Sequence, residues 1–377
     1  MSRPRLVFYC HNTYGLGHIA RSLRIADAAT SLGAECAVLT GCKHMDALNV
    51  PAGVEVHQLP AFAQAPGGSA VSILAAPDQR DVVARRGHLI SRFCKAWRPH
   101  CLVADLLPLG LWGELVETLL EPDCAATCAV WGLPYAEGAG PGSGEYRNPR
   151  LARAYRRYEY LLAYADPRFD DILGGVDRAA LPPSTEYVGI VAQKPASPAA
   201  QREGDTIVVL CGGGYGGVRF YKFVLDATAA FPDTRLRMVV GPKGEPGPMR
   251  EMVAGRNVEL LDTATADEAI GGAALVVSRV GYNTSFYLIQ TPLPLVFVPQ
   301  RMGNDDQPRR AARLERYPNV WNVDENSPDA PGQLRQAIGA ALSAKPSRRE
   351  VDFDIDGAAN AAAHLIRLAD ERAPSSA

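Results

Sequence analysis

The sequence predicts an α/β protein made of two successive domains, each with a parallel sheet. Its 377 residues exceed the length at which a single hydrophobic core usually forms. In both halves, short β-rich apolar runs alternate with amphipathic helical segments, which is typical of parallel strands joined by helices. Residues 192–205 (AQKPASPAAQREGD) lack apolar periodicity and read as a linker. We therefore expect domains at 1–191 and 206–356, with a C-terminal helix and tail at 357–377.

The first half opens as strand, turn, helix and strand. Arg5 to Cys10 has the length of a buried strand, and residues 11–17 (HNTYGLG) form a glycine turn. His18 to Leu32 has helical apolar spacing and ends at Gly33. With a second strand at Ala37 to Thr40, this is a right-handed crossover unit. Three more candidate strands follow: Glu55 to Leu59, Cys101 to Ala104 and Ala126 to Val130.

The second half repeats this pattern after the linker. A strand at Thr206 to Cys211 runs into glycines, a helix follows at Phe220 to Phe231, and a second strand lies at Arg235 to Val240. Three short apolar runs complete the predicted sheet: Val258 to Leu261, Leu275 to Ser278 and Leu293 to Val298. Because such sheets bind ligands outside the carboxyl ends of their strands, we expect the site in a central cleft between the two halves.

Composition excludes several classes of protein. Lys and Arg total 39 against 41 Asp and Glu, so the chain lacks the basic balance that nucleic-acid binding normally requires. The eight cysteines contain no CxxC pair, and Cys124 and Cys128 have no nearby His to complete a zinc set. Neither a signal peptide nor a run of about 20 apolar residues is visible. We expect a soluble, cytoplasmic protein without stable membrane insertion, although peripheral membrane contact stays open.

The most informative motif of the second half is VVSRVGYNTS, residues 276–285. A strand ends at Ser278, Gly281 permits a tight turn, and Asn283 or Thr284 can cap the following helix. The N–H groups and dipole at such a helix start favour a diphosphate, to which Arg279 could add a contact. An ordinary capped turn, without a ligand, carries about equal weight.

Two further loops could contact a nucleotide-sugar. Gly213, Gly214, Tyr215 and Gly216 follow a strand, and glycine turns let the backbone approach phosphates closely. Neither a P-loop nor a dinucleotide fingerprint is present, which argues against a dehydrogenase. Asp306 and Gln307, beyond the strand that ends near Val298, could bind sugar hydroxyls; a solvated loop is the plainer interpretation.

His18 is the candidate general base. It begins a helix after Gly15 and Gly17, where the helix dipole favours a neutral imidazole. Asp105 ends a strand that we expect beside the first strand, so its carboxylate could orient His18. Simple caps are the alternative roles of both residues, and His11 is a competing base.

Three other segments attract attention. The acidic run from Asp352 to Asp356 resembles a metal motif, but we expect an exposed strand or loop there. Arg147 to Arg157 is a basic helical stretch, which we interpret as a solvated face in preference to an acceptor contact. Leu106 to Leu120 could supply an apolar surface for a lipid acceptor or form a buried helix.

Taken together, these motifs resemble the GT-B glycosyltransferases, particularly the bacterial MurG-like branch. GLGHIARSLRIADA, residues 15–28, resembles the Gly-His turn and first helix of that branch. The segments VVSRVGYNTSFYLI and PLPLVFVPQRMGNDDQPRRAARL, within 276–314, are similar to its donor-binding region. They also resemble the donor box of plant small-molecule glycosyltransferases, with Arg279 to Thr284 aligned on His-Cys-Gly-Trp-Asn-Ser and Asp306-Gln307 on the closing Asp-Gln.

The resemblance implies two Rossmann-like domains and a metal-independent, inverting hexosyltransferase that needs no cofactor. The donor would be a nucleotide-sugar, with a UDP-sugar favoured and one of the UDP-GlcNAc kind among the candidates. The acceptor would be a small natural product or a lipid-linked molecule. In this interpretation His18 and Asp105 are catalytic, and His11, Gly15 and Gly17 lie on the acceptor side. The predicted donor-binding residues are Gly213, Gly214, Tyr215, Gly216, Leu261, Thr263, Arg279, Gly281, Asn283, Thr284, Asp306 and Gln307.

Two positions depart from the family pattern. The ribose-binding Glu of the family falls on Tyr287, which weakens the assignment of UDP. A position often held by Asn is Arg310, which indicates either another donor sugar or drift. The alternatives are a nucleotide-sugar 2-epimerase or hydrolase on the same fold, or a non-catalytic nucleotide- or glycan-binding protein.

Overall fold

The computed structural model describes residues 3–11, 15–62, 77–135, 148–196, 205–214, 217–302 and 305–372. These residues form two compact α/β units. The first comprises the described chain up to Val191 and again from Phe353, and the second runs from Ala192 to Asp352.

The first unit is built on a seven-stranded parallel sheet with strand order β3-β2-β1-β4-β5-β6-β7. Its central strands are buried along almost their whole length, as expected of strands covered on both faces. The strands are β1 Arg5–Cys10, β2 Glu35–Thr40, β3 Val54–Gln58, β4 Cys101–Asp105, β5 Cys128–Leu133, β6 Tyr158–Ala163 and β7 Ser184–Tyr187. The helices of the first unit are α1 Gly17–Ser31, α2 Pro77–Trp97, α3 Val116–Leu120, α4 Pro149–Tyr155 and the C-terminal α11 Gly357–Asp370.

The second unit has a six-stranded parallel sheet in the order β10-β9-β8-β11-β12-β15 and a separate β13-β14 pair. Its core is apolar and includes Val209, Phe220, Val224 and Val277. The strands are β8 Thr206–Leu210, β9 Arg235–Val239, β10 Val258–Leu261, β11 Leu275–Ser278, β12 Leu295–Phe297, β13 Arg301–Met302, β14 Asp305–Asp306 and β15 Val320–Asn322. The helices are α5 Gly217–Thr228, α6 Pro246–Val253, α7 Ala266–Ile270, α8 Tyr282–Leu288, α9 Gln307–Leu314 and α10 Ala330–Ser343.

Both sheets have the doubly wound strand order, which confirms the predicted class of two Rossmann-like α/β domains. In each sheet the direction of winding reverses once, between β1 and β4 in the first unit and between β8 and β11 in the second. Ligands of such sheets bind at this reversal, outside the carboxyl ends of the strands. The fold therefore directs attention to the residues that follow these four strands.

The predicted strand boundaries are correct to the residue for β1, β10 and β11, whereas β6, β7, β13, β14 and β15 are missing from the prediction. Strand β7 is polar and the last three strands have two or three residues each, so apolar runs do not mark them. Strand β6 has six residues, but its first three are Tyr-Glu-Tyr, which leaves a short apolar run. The predicted strand at Ala126 to Val130 lies later, as β5. The alternative of a buried helix throughout Leu106 to Leu120 is wrong, because Gly110 and Gly113 have positive φ and only Val116–Leu120 is helical.

The C-terminal segment returns to the first unit a few residues before the predicted boundary at 356. The Phe353 ring is buried and lies 4.8 Å from the ring of Phe169, and the Asp354 amide donates to Asp166 Oδ2 at 2.7 Å. The expectation of a solvent-exposed acidic run is thus wrong for Phe353, since its aromatic ring joins the core. Helix α11 then packs on α1.

The basic stretch around α4 is a solvated face, as predicted. Arg150, Arg153 and Arg156 are exposed, while Ala152 and Ala154 of the same helix are buried. Among the described helices, none combines the length and the apolar character that crossing a bilayer requires.

Candidate active site

A histidine and a carboxylate meet where the first sheet reverses its winding. Because β1 and β4 pair in parallel, the chain that follows β1 lies beside the carboxyl end of β4. His18 is in the first turn of α1, which follows β1, and Asp105 is the last residue of β4. His18 Nδ1 lies 2.6 Å from Asp105 Oδ1, and the two side chains are 14% and 3% exposed. The structure therefore brings the predicted base and carboxylate into direct contact.

Arg21, one turn after His18 on α1, completes this cluster. Its Nε and Nη2 atoms donate to the two Asp105 oxygens at 3.0 and 2.8 Å, and the side chain is fully buried. Burial by itself raises the pKa of Asp105, but the Arg21 guanidinium and the His18 ring outweigh it and lower that pKa to about 2. Asp105 is therefore ionised throughout the neutral pH range.

The charge of Asp105 decides which nitrogen of His18 carries the proton. An ionised carboxylate only accepts hydrogen bonds, so the 2.6 Å contact places a proton on His18 Nδ1. Arg21 Nη2 lies 3.0 Å from the same nitrogen and is then its neighbour, not its donor. The Nε2 atom of a neutral His18 consequently carries the lone pair and can accept a proton.

His11 places a second imidazole against the first. It directly follows β1, is 3% exposed, and its ring centroid lies 4.6 Å from that of His18. Burial, and after it the charge of His18, lower the pKa of His11 well below its usual value, so the ring is neutral. Among the described residues, its enclosed Nδ1 atom has no hydrogen-bond partner. His11 is therefore a neutral, buried neighbour of His18, and its role on the acceptor side stays a prediction.

The glycine turn before α1 is described only in part. Gly17 is the first residue of α1, and residues 12–14 lie outside the described part of the chain. A Cβ atom at Gly15 would make only an ordinary contact, 3.7 Å from the Gly17 nitrogen. Space alone does not require glycine at position 15, and the acceptor-side role of both glycines stays a prediction.

A tight glycine turn follows β8 in the second unit. Gly212 and Gly214 have φ of +55° and +88°, in the left-handed region. A Cβ atom at Gly214 would lie 2.1 Å from the Val240 carbonyl oxygen, so a larger residue does not fit. The Gly213 carbonyl accepts from the Lys243 amide at 2.9 Å, which ties this turn to the loop after β9. Tyr215 and Gly216 of the predicted site lie outside the described residues.

Helix α8 begins beside this turn because β8 and β11 pair in parallel. A Cβ atom at Gly212 would lie 3.8 Å from Thr284 Oγ1. The predicted side-chain cap is wrong: Gly281 occupies the N-cap position, and Asn283 and Thr284 lie within the first turn. The reason is that Tyr282, whose ring is buried, is already helical. The glycine turn and Thr284 thus lie together at the carboxyl edge of the second sheet.

Arg279 has partners within the second unit. Its Nη1 donates to the Val298 carbonyl at 3.1 Å, and its Nη2 forms an ion pair with Glu325 at 2.8 Å. The guanidinium also stacks 4.4 Å from the centroid of the Phe220 ring, and the residue is buried. The charge of Arg279 is therefore already balanced by Glu325, and its contact with a diphosphate stays a prediction.

Helix α9 holds the loop that follows β11. Gln307 Oε1 accepts from the amides of Val280 and Gln300, both at 3.1 Å. Arg310 Nη1 donates to the Val280 carbonyl at 2.6 Å, so this departure from the family pattern has a structural role. Asp306 caps α9 by accepting from an amide of its first turn. Binding of sugar hydroxyls by Asp306 and Gln307 stays a prediction.

The predicted nucleobase region lies at the edge strand β10. The Val240 amide donates to the Leu261 carbonyl at 2.8 Å, and the Gly241 amide donates to the Asp262 carbonyl at 2.9 Å. Leu261 is half-buried, and Thr263 is exposed just beyond the strand. Hydrogen bonds therefore connect the loop after β8 to the loop after β9, and the loop after β9 to the loop after β10, which holds Thr263 just beyond Leu261.

Tyr287, at the position of the family's ribose-binding Glu, is buried within the second unit. Its hydroxyl donates to Asp267 Oδ1 at 2.8 Å, and the same oxygen accepts from the Ala196 amide at 3.0 Å. Burial, and the hydrogen bond to Asp267, raise the pKa of Tyr287. A carboxylate is therefore present near this position, but α7 supplies it instead of α8.

Sequence reasoning missed Arg21, although its spacing of three residues from His18 places both on one face of a helix. In the described part of the chain, no group of three His, Cys, Asp or Glu side chains could hold a metal ion. A cavity of about 330 Å³ is lined by the first residues of β2 and β3, so it lies at the opposite edge of the sheet from His18.

Comparison with known proteins gives a family match over most of the second unit. Residues 206–364 match the model of the glycosyltransferase family 28 C-terminal domain, which is less than half of the chain. No curated protein matches it closely enough in sequence to add a named relative.

Solved structures with the same fold span nearly the whole chain. MurG of Acinetobacter baumannii has a TM-score of 0.57 at 13% identity, covering 98% of this chain and 99% of its own. The spinosyn forosaminyltransferase SpnP has a TM-score of 0.60 at 15% identity, with coverages of 98% and 95%. UGT2 of Phytolacca americana was solved with UDP-2-fluoro-glucose and pterostilbene. It has a TM-score of 0.59 at 14% identity, covering 100% of this chain and 96% of its own. The shared fold and the family match confirm the predicted resemblance to the GT-B glycosyltransferases.

Proposed function

We propose that this protein is an inverting GT-B glycosyltransferase that transfers a sugar from a nucleotide-sugar to a hydroxyl or amine of a small-molecule or lipid-linked acceptor. The donor proposed is a UDP-sugar of the UDP-GlcNAc kind. The observation that carries the proposal is the 2.6 Å contact between His18 Nδ1 and the ionised Asp105, which Arg21 holds from its other side.

In this mechanism His18 acts as the general base. Its Nε2 atom takes the proton from the acceptor hydroxyl while the acceptor oxygen bonds to the anomeric carbon of the donor sugar. The bond from that carbon to the diphosphate oxygen breaks, and the nucleoside diphosphate leaves. A single displacement inverts the anomeric configuration. The negative charge of Asp105 stabilises the imidazolium that forms.

The donor would bind the second unit at the edge that carries the glycine turn. Three features support this assignment: the left-handed Gly212 and Gly214, the adjacent Thr284, and the reversal of sheet winding between β8 and β11. Backbone N–H groups around Gly213 would stabilise the departing diphosphate, so the proposed reaction needs no metal. The nucleobase of the donor would lie near Leu261 and Thr263.

A small natural product is the acceptor class that the fold relatives favour. UGT2 was solved with pterostilbene, and SpnP is named as a spinosyn forosaminyltransferase. A lipid-linked molecule, the other acceptor class predicted from the sequence, is tested in parallel.

Replacing His18 by Ala tests the proposed base. Loss of general-base catalysis should lower the rate of transfer by about 10²–10⁴-fold. Binding of the donor, measured as nucleotide-induced thermal stabilisation, should be retained because His18 belongs to the other unit. His88→Ala is the matched control, since that imidazole is 63% exposed on α2.

A panel of nucleoside diphosphates and nucleotide-sugars in the same thermal assay identifies the donor. Full transfer by His18→Ala would refute the mechanism. Product formation from the donor alone, without an acceptor, would instead establish the epimerase or hydrolase alternative. Nucleotide binding without turnover of any donor would leave a binding protein, for which the replacement of the ribose-binding Glu by Tyr287 is the supporting observation.

A further inference from the structure

The backbone makes an unusual turn immediately after Asp105. Leu106 has φ of +64°, the left-handed region that residues with a Cβ atom rarely adopt. The Leu107 amide donates to the Asp105 carbonyl at 2.9 Å, which closes a three-residue γ-type turn around Leu106. Such strain persists only where the surroundings hold it, and it concentrates at functional sites.

Two neighbours on β5 hold this turn. The Leu106 amide donates to the Gly132 carbonyl at 2.8 Å, which extends the ladder between β4 and β5 by one bond. The Trp131 indole Nε1 donates to the Leu106 carbonyl at 2.7 Å. Trp131 is fully buried, so water does not compete for this hydrogen bond. Both polar backbone groups of the strained residue are therefore satisfied by one adjacent strand.

A second aromatic side chain holds the next part of the loop. The Tyr158 hydroxyl on β6 donates to the Pro108 carbonyl, and the phenol is buried. The Tyr155 ring packs between the two donors, 5.9 Å from the Trp131 ring and 6.2 Å from that of Tyr158. Strands β5 and β6 thus supply two hydrogen-bond donors to carbonyl groups of residues 106–108.

These contacts hold Asp105 from both sides. Its carboxylate is held by Arg21 and contacts His18, and its backbone carbonyl is held within the strained turn. We propose that Trp131, assisted by Tyr158, is a positioning residue that fixes the turn at Leu106 so that the Asp105 carboxylate meets His18 Nδ1. This inference rests on the proposed function, since it assigns these residues to the catalytic pair.

Trp131→Phe tests the proposal by removing the indole donor while keeping an aromatic ring. A misaligned carboxylate should lower kcat by about 10–100-fold, because misplacement by about 1 Å can cost that much. KM for donor and acceptor should change by less than about threefold, since Trp131 contacts neither in this proposal. Tyr158→Phe should act in the same direction with a smaller effect.

Thr127→Val is the matched control. Thr127 Oγ1 donates to the Pro99 carbonyl at 2.9 Å, so it is also a buried bond from a side chain to a backbone carbonyl in the first unit. It lies just before the first residue of β5, four positions before Trp131. Its removal should leave kcat unchanged. Equal losses of kcat in Thr127→Val and Trp131→Phe would show a general loss of stability and overturn the proposal.

Leu106→Gly provides the coupling test. Glycine adopts positive φ without strain, so the turn no longer needs the hydrogen bond from Trp131 to hold it. The kcat loss caused by Trp131→Phe should therefore be several-fold smaller in the Leu106→Gly background than in the wild type. Equal losses in the two backgrounds would contradict the proposal.

A spectroscopic arm keeps the proposal testable if Leu106→Gly fails to fold or if no donor is turned over. In the full chain labelled with ¹⁵N-histidine, the short hydrogen bond to Asp105 should place the His18 Nδ1–H proton far downfield, and His18→Gln assigns it. Trp131→Phe should shift or broaden this signal, and Thr127→Val should not. An unchanged signal in Trp131→Phe would overturn the inference. Absence of transfer with an intact signal would overturn only the proposed function.

Discussion

Asp105→Asn should destabilise the first unit, because it removes the counter-charge of a buried guanidinium. The Arg21 side chain is 1% exposed and makes two hydrogen bonds to the carboxylate. Removing one partner of a buried ion pair costs about 3–5 kcal/mol in the free energy of unfolding. The amide oxygen of Asn still accepts one hydrogen bond, so we expect a value near the lower end of this range.

The same substitution should remove a specific dependence of stability on pH. The pKa of Asp105 is about 2 in the folded chain against 3.8 for a free side chain. At about 1.4 kcal/mol for each pH unit, this difference is worth about 2 kcal/mol. The carboxylate contributes this stability above about pH 4 and loses it as the pH falls toward 2. The difference in the free energy of unfolding between wild type and Asp105→Asn should therefore narrow by about 2 kcal/mol over that interval.

Urea unfolding followed by tryptophan fluorescence measures both effects, since Trp97, Trp112 and Trp131 lie in the first unit. Asp123→Asn is the matched control, because its carboxylate is 74% exposed and lies 4.0 Å from Lys95. An unfolding midpoint equal to that of the wild type at pH 7 would refute the argument. A gap that stays constant down to pH 2 would refute the assigned pKa.

Two predictions concern the second unit. Gly214→Ala should lower the free energy of unfolding by at least about 2 kcal/mol and weaken nucleotide binding, because its Cβ atom would meet the Val240 carbonyl. In the same thermal-shift assay, the control Gly247→Ala should do neither, because no atom lies within 4 Å of the position of its Cβ. Arg349→Met should cost about 3 kcal/mol by urea unfolding, and Arg349→Lys should not restore it, since an ammonium cannot reproduce the guanidinium fork. A wild-type midpoint for Arg349→Met would contradict this account. Arg349 donates hydrogen bonds to four backbone carbonyl groups, those of Thr291, Leu293, Pro318 and Asn319.

The fold was largely accessible from the sequence because its buried strands are continuous apolar runs. Leu275 to Ser278 and Arg5 to Cys10 are covered on both faces, so their composition alone marks them. Ser184–Tyr187 is polar and pairs only with β6, at the edge of the sheet. Its position depends on a neighbouring strand, which no local pattern encodes.

The candidate site was accessible only where a motif combined with topology. His18 and Asp105 stand out because each follows a predicted strand, and parallel pairing then brings the strand ends together. The sequence predicts a diphosphate contact for Arg279, because a positive charge near a glycine turn suggests an anion. Its pairing with Glu325 depends on a residue 46 positions later in the chain.

What the sequence by itself determined is local: the buried strands, the glycine turns and the point where the two halves divide. These follow from side-chain periodicity and backbone freedom, which depend on near neighbours. Only the tertiary structure decided the partners of His18, Arg21 and Trp131, and the left-handed turn at Leu106. The physical reason is that burial and hydrogen bonding act through space, and the His18–Asp105 contact joins residues 87 positions apart.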